Sequence, residues 1–223
     1  MQGTEQVLSR KIVISSVIDE KVAGEIIEQI MAINDFDAQM SVVTTYQPEP
    51  IEMFINSVGG NVSDGFAIID AMEMSDTPII TYGIGIVASM ALAIFVAGDV
   101  RVSARHARFM YHSISYGMVG YIQDHEDAQK ESSLLQRMYN SLMFERTGLT
   151  QEKLDEIKRM KKDFFFSSKQ AVKLGVADQV MPKPEKKFQM VTEEEFEKMQ
   201  KEIRIRIKIK VIGNSITFLL DKR

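Results

Sequence analysis

The chain has 223 residues, 45% of them hydrophobic, enough for one sizeable core with an appendage. A net charge of -4 and a pI near 5.5 argue against a protein whose main task is wrapping nucleic acid, and the lack of cysteine excludes disulfides, thiolate metal sites and a cysteine nucleophile. The N-terminal MQGTEQVLSRK does not resemble a signal peptide and the longest apolar run, Ile84 to Ala97, is too short to span a bilayer, so a soluble cytoplasmic protein without nucleic-acid or membrane partners is expected.

Residues Lys11 to Val17 (KIVISSV) form a first predicted strand, and Asp19 or Glu20 opens a helix with the apolar face Val22, Ile26, Ile27, Ile30 and Met31. From Asn34 to Pro50 the chain has turn residues and little periodicity. Ile51 to Ile55 resumes as a strand that breaks at NSVGGN, and a helix follows from Ser63 or Asp64 to about Met74. Pro78 restarts the chain as a strand from Ile79 to Gly83; Gly83 and Gly85 punctuate a turn, and Met90 to Ala97 is a buried helix closed by Gly98. Two short strands, Val100 to Val102 and Arg108 to Tyr111, lead to His112 and an extended loop from Ser113 to Gly120. This alternation predicts β-α-β units on a largely parallel sheet, an α/β core up to about Pro182.

A long helix is expected from Tyr121 to Thr147, about 40 Å at the standard rise, closed by Gly148. Its first half, IQDHEDAQKESS, is polar on nearly every face, which points to a projecting segment or a contact with another subunit. Short helices follow at Gln151 to Arg159 and Lys169 to Leu174. Beyond Pro182 the prolines and lysines suggest a linker, Thr192 and Glu195 a capping box for a short acidic helix to about Lys201, and the alternation of Ile203 to Val211 a strand. Gly213-Asn214 then turns the chain into a return strand, Ser215 to Leu220. The chain therefore divides into a domain over residues 1–182 and an extension over 183–223, whose basic stripe reads as a solvated strand face.

Ser89 falls where the third strand meets the buried helix, and two readings compete there. It caps the helix, or it is a nucleophile lying near the unpaired N–H groups of the helix start. A nucleophilic serine needs a histidine to take its proton, a carboxylate to fix that histidine and backbone donors for the oxyanion. His112, at the end of an apolar strand, is the candidate base, with a structural histidine as the alternative; His106 and His125 lie in polar, solvent-facing contexts. For the acid, local sequence does not separate Asp163 from Asp155 or Glu156.

Four segments in order, INSVGGNVSDGFAIIDAM, VASMALAIFVAG, MYHS and KKDFFFSSKQAVKLGVADQV, resemble the proteolytic subunit family of the Clp protease, over about Ser9 to Met181. The resemblance implies a ClpP/crotonase-like fold of stacked β-β-α units with a protruding handle helix, here followed by a C-terminal helix and β-hairpin. It implies a serine endopeptidase with Ser89 as nucleophile, His112 as base and Asp163 as acid, and the backbone N–H groups of Gly60 and Met90 as oxyanion hole. It further implies rings of seven subunits that pair into a closed chamber, polypeptide substrates, an AAA+ unfoldase partner, and no metal or small cofactor. Val58, Ser113-Ile114 and Tyr116 depart from the family pattern around the peptide groove, the segment before the first strand is short for a pore lining, and residues after Pro182 have no counterpart in it. Two alternatives remain: an inactive ring or scaffold subunit, and a crotonase-like acyl-CoA enzyme, which needs no serine-histidine pair. A serine-lysine peptidase is also conceivable, but it leaves His112 and Asp163 without a role.

Overall fold

The computed structural model describes residues 9–42, 46–160, 162–183, 198, 207–212 and 215–220. The expected linker, acidic helix and Gly213-Asn214 turn lie outside the described residues, apart from Pro182, Lys183 and a helical Lys198. The chain separates into two compact units, Met1–Pro182 and Lys183–Arg223.

The first unit begins with β1 (Lys11–Ile14), whose Ile12 and Ile14 point into the core, and α1 (Glu20–Met40), capped by Asp19, whose carboxylate accepts from Val22 N–H at 2.9 Å. β2 (Ile51–Ser57), α2 (Val62–Glu73) and β3 (Ile79–Ala88) follow, then α3 (Met90–Ala97), β4 (Val100–Ser103) and β5 (Arg108–Tyr111). α4 (Ile122–Arg146), α5 (Gln151–Met160), β6 (Phe164–Ser167), α6 (Ser168–Lys173) and β7 (Gln179–Val180) complete it. Strands pair in the order β1-β2-β3-β4-β7, all parallel, and β5 branches off β3 to meet β6 in antiparallel register. The α/β expectation with a largely parallel sheet is met. Every residue of α3 is buried, so this helix is the centre of the core rather than an amphipathic cover.

Two differences from the sequence reading carry physical content. α1 continues through Asn34 to Met40, where turn residues suggested a loop. Asn34 is held at Ile30 O (2.8 Å) and accepts from Asp76 N–H (2.9 Å), while Asp37 is buried against Arg10 and Thr77 Oγ1 (2.5 Å), so tertiary partners satisfy side chains that otherwise favour turns. The Arg10 guanidinium bound to Asp37 holds its carboxyl down at about 2.

β3, in turn, does not stop at Gly83 but runs to Ala88. The register slips there: Ile55 faces Gly83 and Ser57 faces Val87, so β3 carries extra residues in a bulge. Gly85 takes φ +57 within it, and a Cβ there would sit 2.4 Å from Asn56 Oδ1, the atom that accepts the Ile86 N–H at 3.0 Å. Below the bulge β3 pairs with β4, above it with β5.

The second unit contains the antiparallel pair β8 (Ile207–Ile212) and β9 (Ser215–Leu220), with Ile207 opposite Leu220 and Ile212 opposite Ser215.

Candidate active site

Ser89 follows the last residue of β3 and precedes the first of α3. Its backbone is at φ 55, ψ -127, and it is the one non-glycine residue with positive φ among the described residues. An L-residue adopts this turn conformation only at a cost, and it is held by Ser89 N–H to Met110 O (2.9 Å) and by the Ser89 carbonyl accepting from Leu92 N–H (2.9 Å). The side chain makes no helix-capping hydrogen bond. Instead Ser89 Oγ lies 2.7 Å from Nε2 of His112.

His112 follows β5 directly, and β5 lies beside the upper half of β3 because of the bulge, so serine and histidine emerge from adjacent strand ends. His112 is partly buried, whereas His106 and His125 are exposed as expected. Asp163, the residue before β6, faces the other ring nitrogen: Oδ1 is 4.0 Å from His112 Nδ1, beyond a direct hydrogen bond, and the carboxylate is half exposed. The β5–β6 pairing, with Tyr111 opposite Phe164, brings this aspartate alongside the histidine. Asp155 and Glu156 lie in α5 and have other partners: Asp155 accepts from Gln151 (3.1 Å), and Glu156 pairs with Lys153 (2.9 Å), which lowers its pKa.

A pocket of about 270 Å³ opens beside Ser89 and His112. Gly59, Gly60, Met90, Val58, Ile114 and Tyr139 are among its lining residues, so Gly60 and Met90 are both at the site. Gly60 itself packs on Ile18, between β1 and α1: the Ile18 N–H bonds Gly59 O (3.0 Å) and the Asn61 N–H bonds Ile18 O (2.8 Å), an arrangement that leaves Gly60's own N–H out of the bridge. The close approach to Ser89 is made by Gly59, not Gly60. At φ +96, a Cβ on Gly59 would stand 2.7 Å from Ser89 Cβ and 2.9 Å from Met90 N, whereas one on Gly60 would strike the Ile18 backbone. The Gly59 N–H donates to Ser57 Oγ (3.1 Å). The Met90 N–H, at the first helical position, is one of the groups an α-helix cannot pair internally.

Five pocket residues were not singled out as site residues from the sequence: Val17, Gly59, Val62, Ser115 and Tyr139. The one available signal for Tyr139 was a phenol on the apolar stripe of a long helix, where a hydroxyl needs a buried partner. That partner is the Ser89 carbonyl, at 3.0 Å. Of the residues that depart from the family pattern, Val58 and Ile114 line the pocket, Tyr116 is exposed, and Ser113 Oγ is buried with no hydrogen-bond partner among the described residues.

A serine hydroxyl against an imidazole at a strained strand-to-helix turn, with a carboxylate on the far side of the ring and a helix start beneath, is the layout of a serine peptidase site. A model of the Clp protease family matches residues 4–184, and the chain belongs to that family of serine peptidases. It is 35% identical over 161 residues to the ATP-dependent Clp protease proteolytic subunit of Deinococcus radiodurans, covering 71% of this chain and 78% of that protein. It is 32% identical over 180 residues to the ATP-dependent Clp protease proteolytic subunit 1 of Corynebacterium jeikeium, covering 79% and 90%. To the proteolytic subunit 2 of Pseudomonas aeruginosa it is 29% identical over 174 residues, covering 77% and 81%. These likenesses favour neither the acyl-CoA enzyme nor the inactive scaffold.

Proposed function

We propose that the chain is a chamber-forming endopeptidase in which Ser89 is the nucleophile, His112 the general base and Asp163 the residue that orients the ring. The 2.7 Å contact between Ser89 Oγ and His112 Nε2 carries this reading. As Oγ attacks a peptide carbonyl, Nε2 takes its proton; the same proton then goes to the leaving amine, and water hydrolyses the acyl-enzyme with His112 again acting as base. This requires the tautomer with the proton on Nδ1, the atom that Asp163 faces across 4.0 Å, a separation that substrate binding can shorten. The oxyanion is met by the N–H groups of Met90 and Gly60, the first unpaired at the helix start and the second outside the Ile18 bridge.

Self-assembly is part of the proposal. Parallel sheets are normally covered on both faces, yet on β1 the side chain of Val13 is 62% exposed, and Phe54 and Tyr82 stack on the same face of β2 and β3 with only partial cover. α4 carries exposed Ile122, Leu134, Met138 and Phe144. Second copies of the chain in a ring, and a second ring against the helix, account for both apolar surfaces. The relatives are named as subunits of an ATP-dependent protease, so polypeptides supplied by an AAA+ unfoldase are the proposed substrate, with 1–182 as the peptidase domain and 183–223 as an appendage to it.

A fluorophosphonate probe tests the chemistry. It is expected to label the wild type, to leave Ser89→Ala unlabelled and to react at least 100-fold more slowly with His112→Ala. A folded wild type that remains unlabelled refutes the assignment. Light scattering should return a mass many times 25.3 kDa, and a monomer at micromolar concentration removes the chamber.

A further inference from the structure

α4 bonds to Ser89 itself and to residues on either side of His112, Tyr111 and Ile114, through polar side chains that packing alone does not require. Tyr139 donates its hydroxyl to the Ser89 carbonyl (3.0 Å), the same oxygen that caps the start of α3. Three residues earlier on the helix, Gln136 Oε1 accepts the backbone N–H of Ile114 (2.7 Å), two residues beyond the histidine. Gln136 Nε2 donates to Asn140 Oδ1 (2.7 Å), and that oxygen also accepts from the hydroxyl of Tyr111 (2.6 Å), the residue before the histidine. The rings of Tyr111 and Tyr139 stack at 5.2 Å. All three of Gln136, Tyr139 and Tyr111 are buried, and a buried polar group is tolerated only when paired. Burial pushes the Tyr139 phenol well above its ordinary range, so it stays an O–H donor.

We propose that Gln136 and Tyr139 are positioning residues that set the separation of Ser89 and His112, one holding the segment that carries the base and the other holding the carbonyl of the nucleophile. The inference rests on the assignment of those two residues as base and nucleophile. Both ends of the pair need such support. Ser89 has a backbone that relaxes unless its surroundings over-determine it. His112 stands just past the last β5–β6 pair among the described residues, Tyr111–Phe164. One helix spanning both points fixes their distance in a way that neither strand end does alone.

The full-length chain supplies the test, by the rate of fluorophosphonate capture at Ser89 and by kcat and KM on a fluorogenic peptide. Gln136→Met keeps the volume and removes the hydrogen bonds; Tyr139→Phe removes only the hydroxyl. Each is expected to lower the capture rate and kcat about tenfold, with KM within twofold of wild type. In a His112→Ala background Gln136→Met should change the residual capture rate by less than about twofold, because a residue that acts through the histidine has nothing left to position. Capture by folded Gln136→Met and Tyr139→Phe at the wild-type rate overturns the inference alone, and so does an equal loss with and without His112. An unlabelled wild type overturns the Ser89–His112 assignment and this inference with it.

Discussion

Replacing Ser89 by glycine and by alanine separates the backbone strain at this position from the loss of its hydroxyl. Both variants lose the hydroxyl and its 2.7 Å contact with His112, so that loss cancels in the comparison. What differs is the backbone at φ 55, ψ -127, a conformation open to glycine and strained for any residue with a Cβ. The strain on alanine is about 1–3 kcal/mol. Against it stands the extra freedom glycine loses on folding, about 0.5–1 kcal/mol. The glycine variant is therefore expected to be the more stable by about 1 kcal/mol, the reverse of the ordinary order, which for a chain of this size is roughly 2–4 °C in Tm. Thermal unfolding of the two variants at one protein concentration and scan rate measures it, since Tm depends on concentration in any self-associating chain. An alanine variant that melts at or above the glycine variant refutes the claim that Ser89 is held under strain.

The ion pair at the end of α1 gives an acid-stability prediction. Asp37 titrates at about 2 in the folded chain against 3.8 ordinarily, so its contribution is complete above pH 3.8 and is lost as pH falls toward 2. Asp37→Asn should cost roughly 2 kcal/mol in urea unfolding at pH 6, and the gap to wild type should narrow between pH 4 and 2; a gap constant with pH contradicts the assignment. Deletion of residues 183–223 should leave fluorophosphonate capture and hydrolysis of short peptides within about twofold of the full chain, because every described residue that lines the pocket belongs to Met1–Pro182; loss of both activities in a folded deletion variant places the tail in the peptidase itself.

The sequence marks most of the fold because strand and helix signals here are local. Asp19 caps α1, the apolar run from Met90 to Ala97 is a helix, and the β-branched strands alternate with both. What it hides depends on partners distant in the chain. Asn34 and Asp37 look like turn residues until Asp76, Thr77 and Arg10 are brought to them. Phe164 to Ser167 is too short a run to be recognised as a strand, and its pairing with β5 gives it that form. At the site, local sequence left Ser89 between cap and nucleophile, and it could not select Asp163. That Gly59 rather than Gly60 makes the close approach to Ser89 is likewise invisible in a Gly-Gly pair, since which glycine takes φ +96 is set by Ser57 Oγ and Ile18.

The bulge in β3 joins these threads. A regular strand from Ile79 to Ala88 would keep one partner along its whole length, and β4 ends at Ser103, opposite Gly83. With Gly85 at positive φ and Asn56 filling the gap, the upper three residues of β3 are free to pair with β5 instead, and Ser89 N–H takes Met110 O as the next rung. That rung is what brings the serine level with the histidine two residues further on. The antiparallel return of β6 against β5 then delivers Asp163 to the far side of the ring, and α4 braces the pair from behind. The site is thus a consequence of where one strand changes neighbours. The polar groups at that change, Asn56 and Ser57 among them, belong to the machinery that aligns Ser89 as much as the residues that touch it.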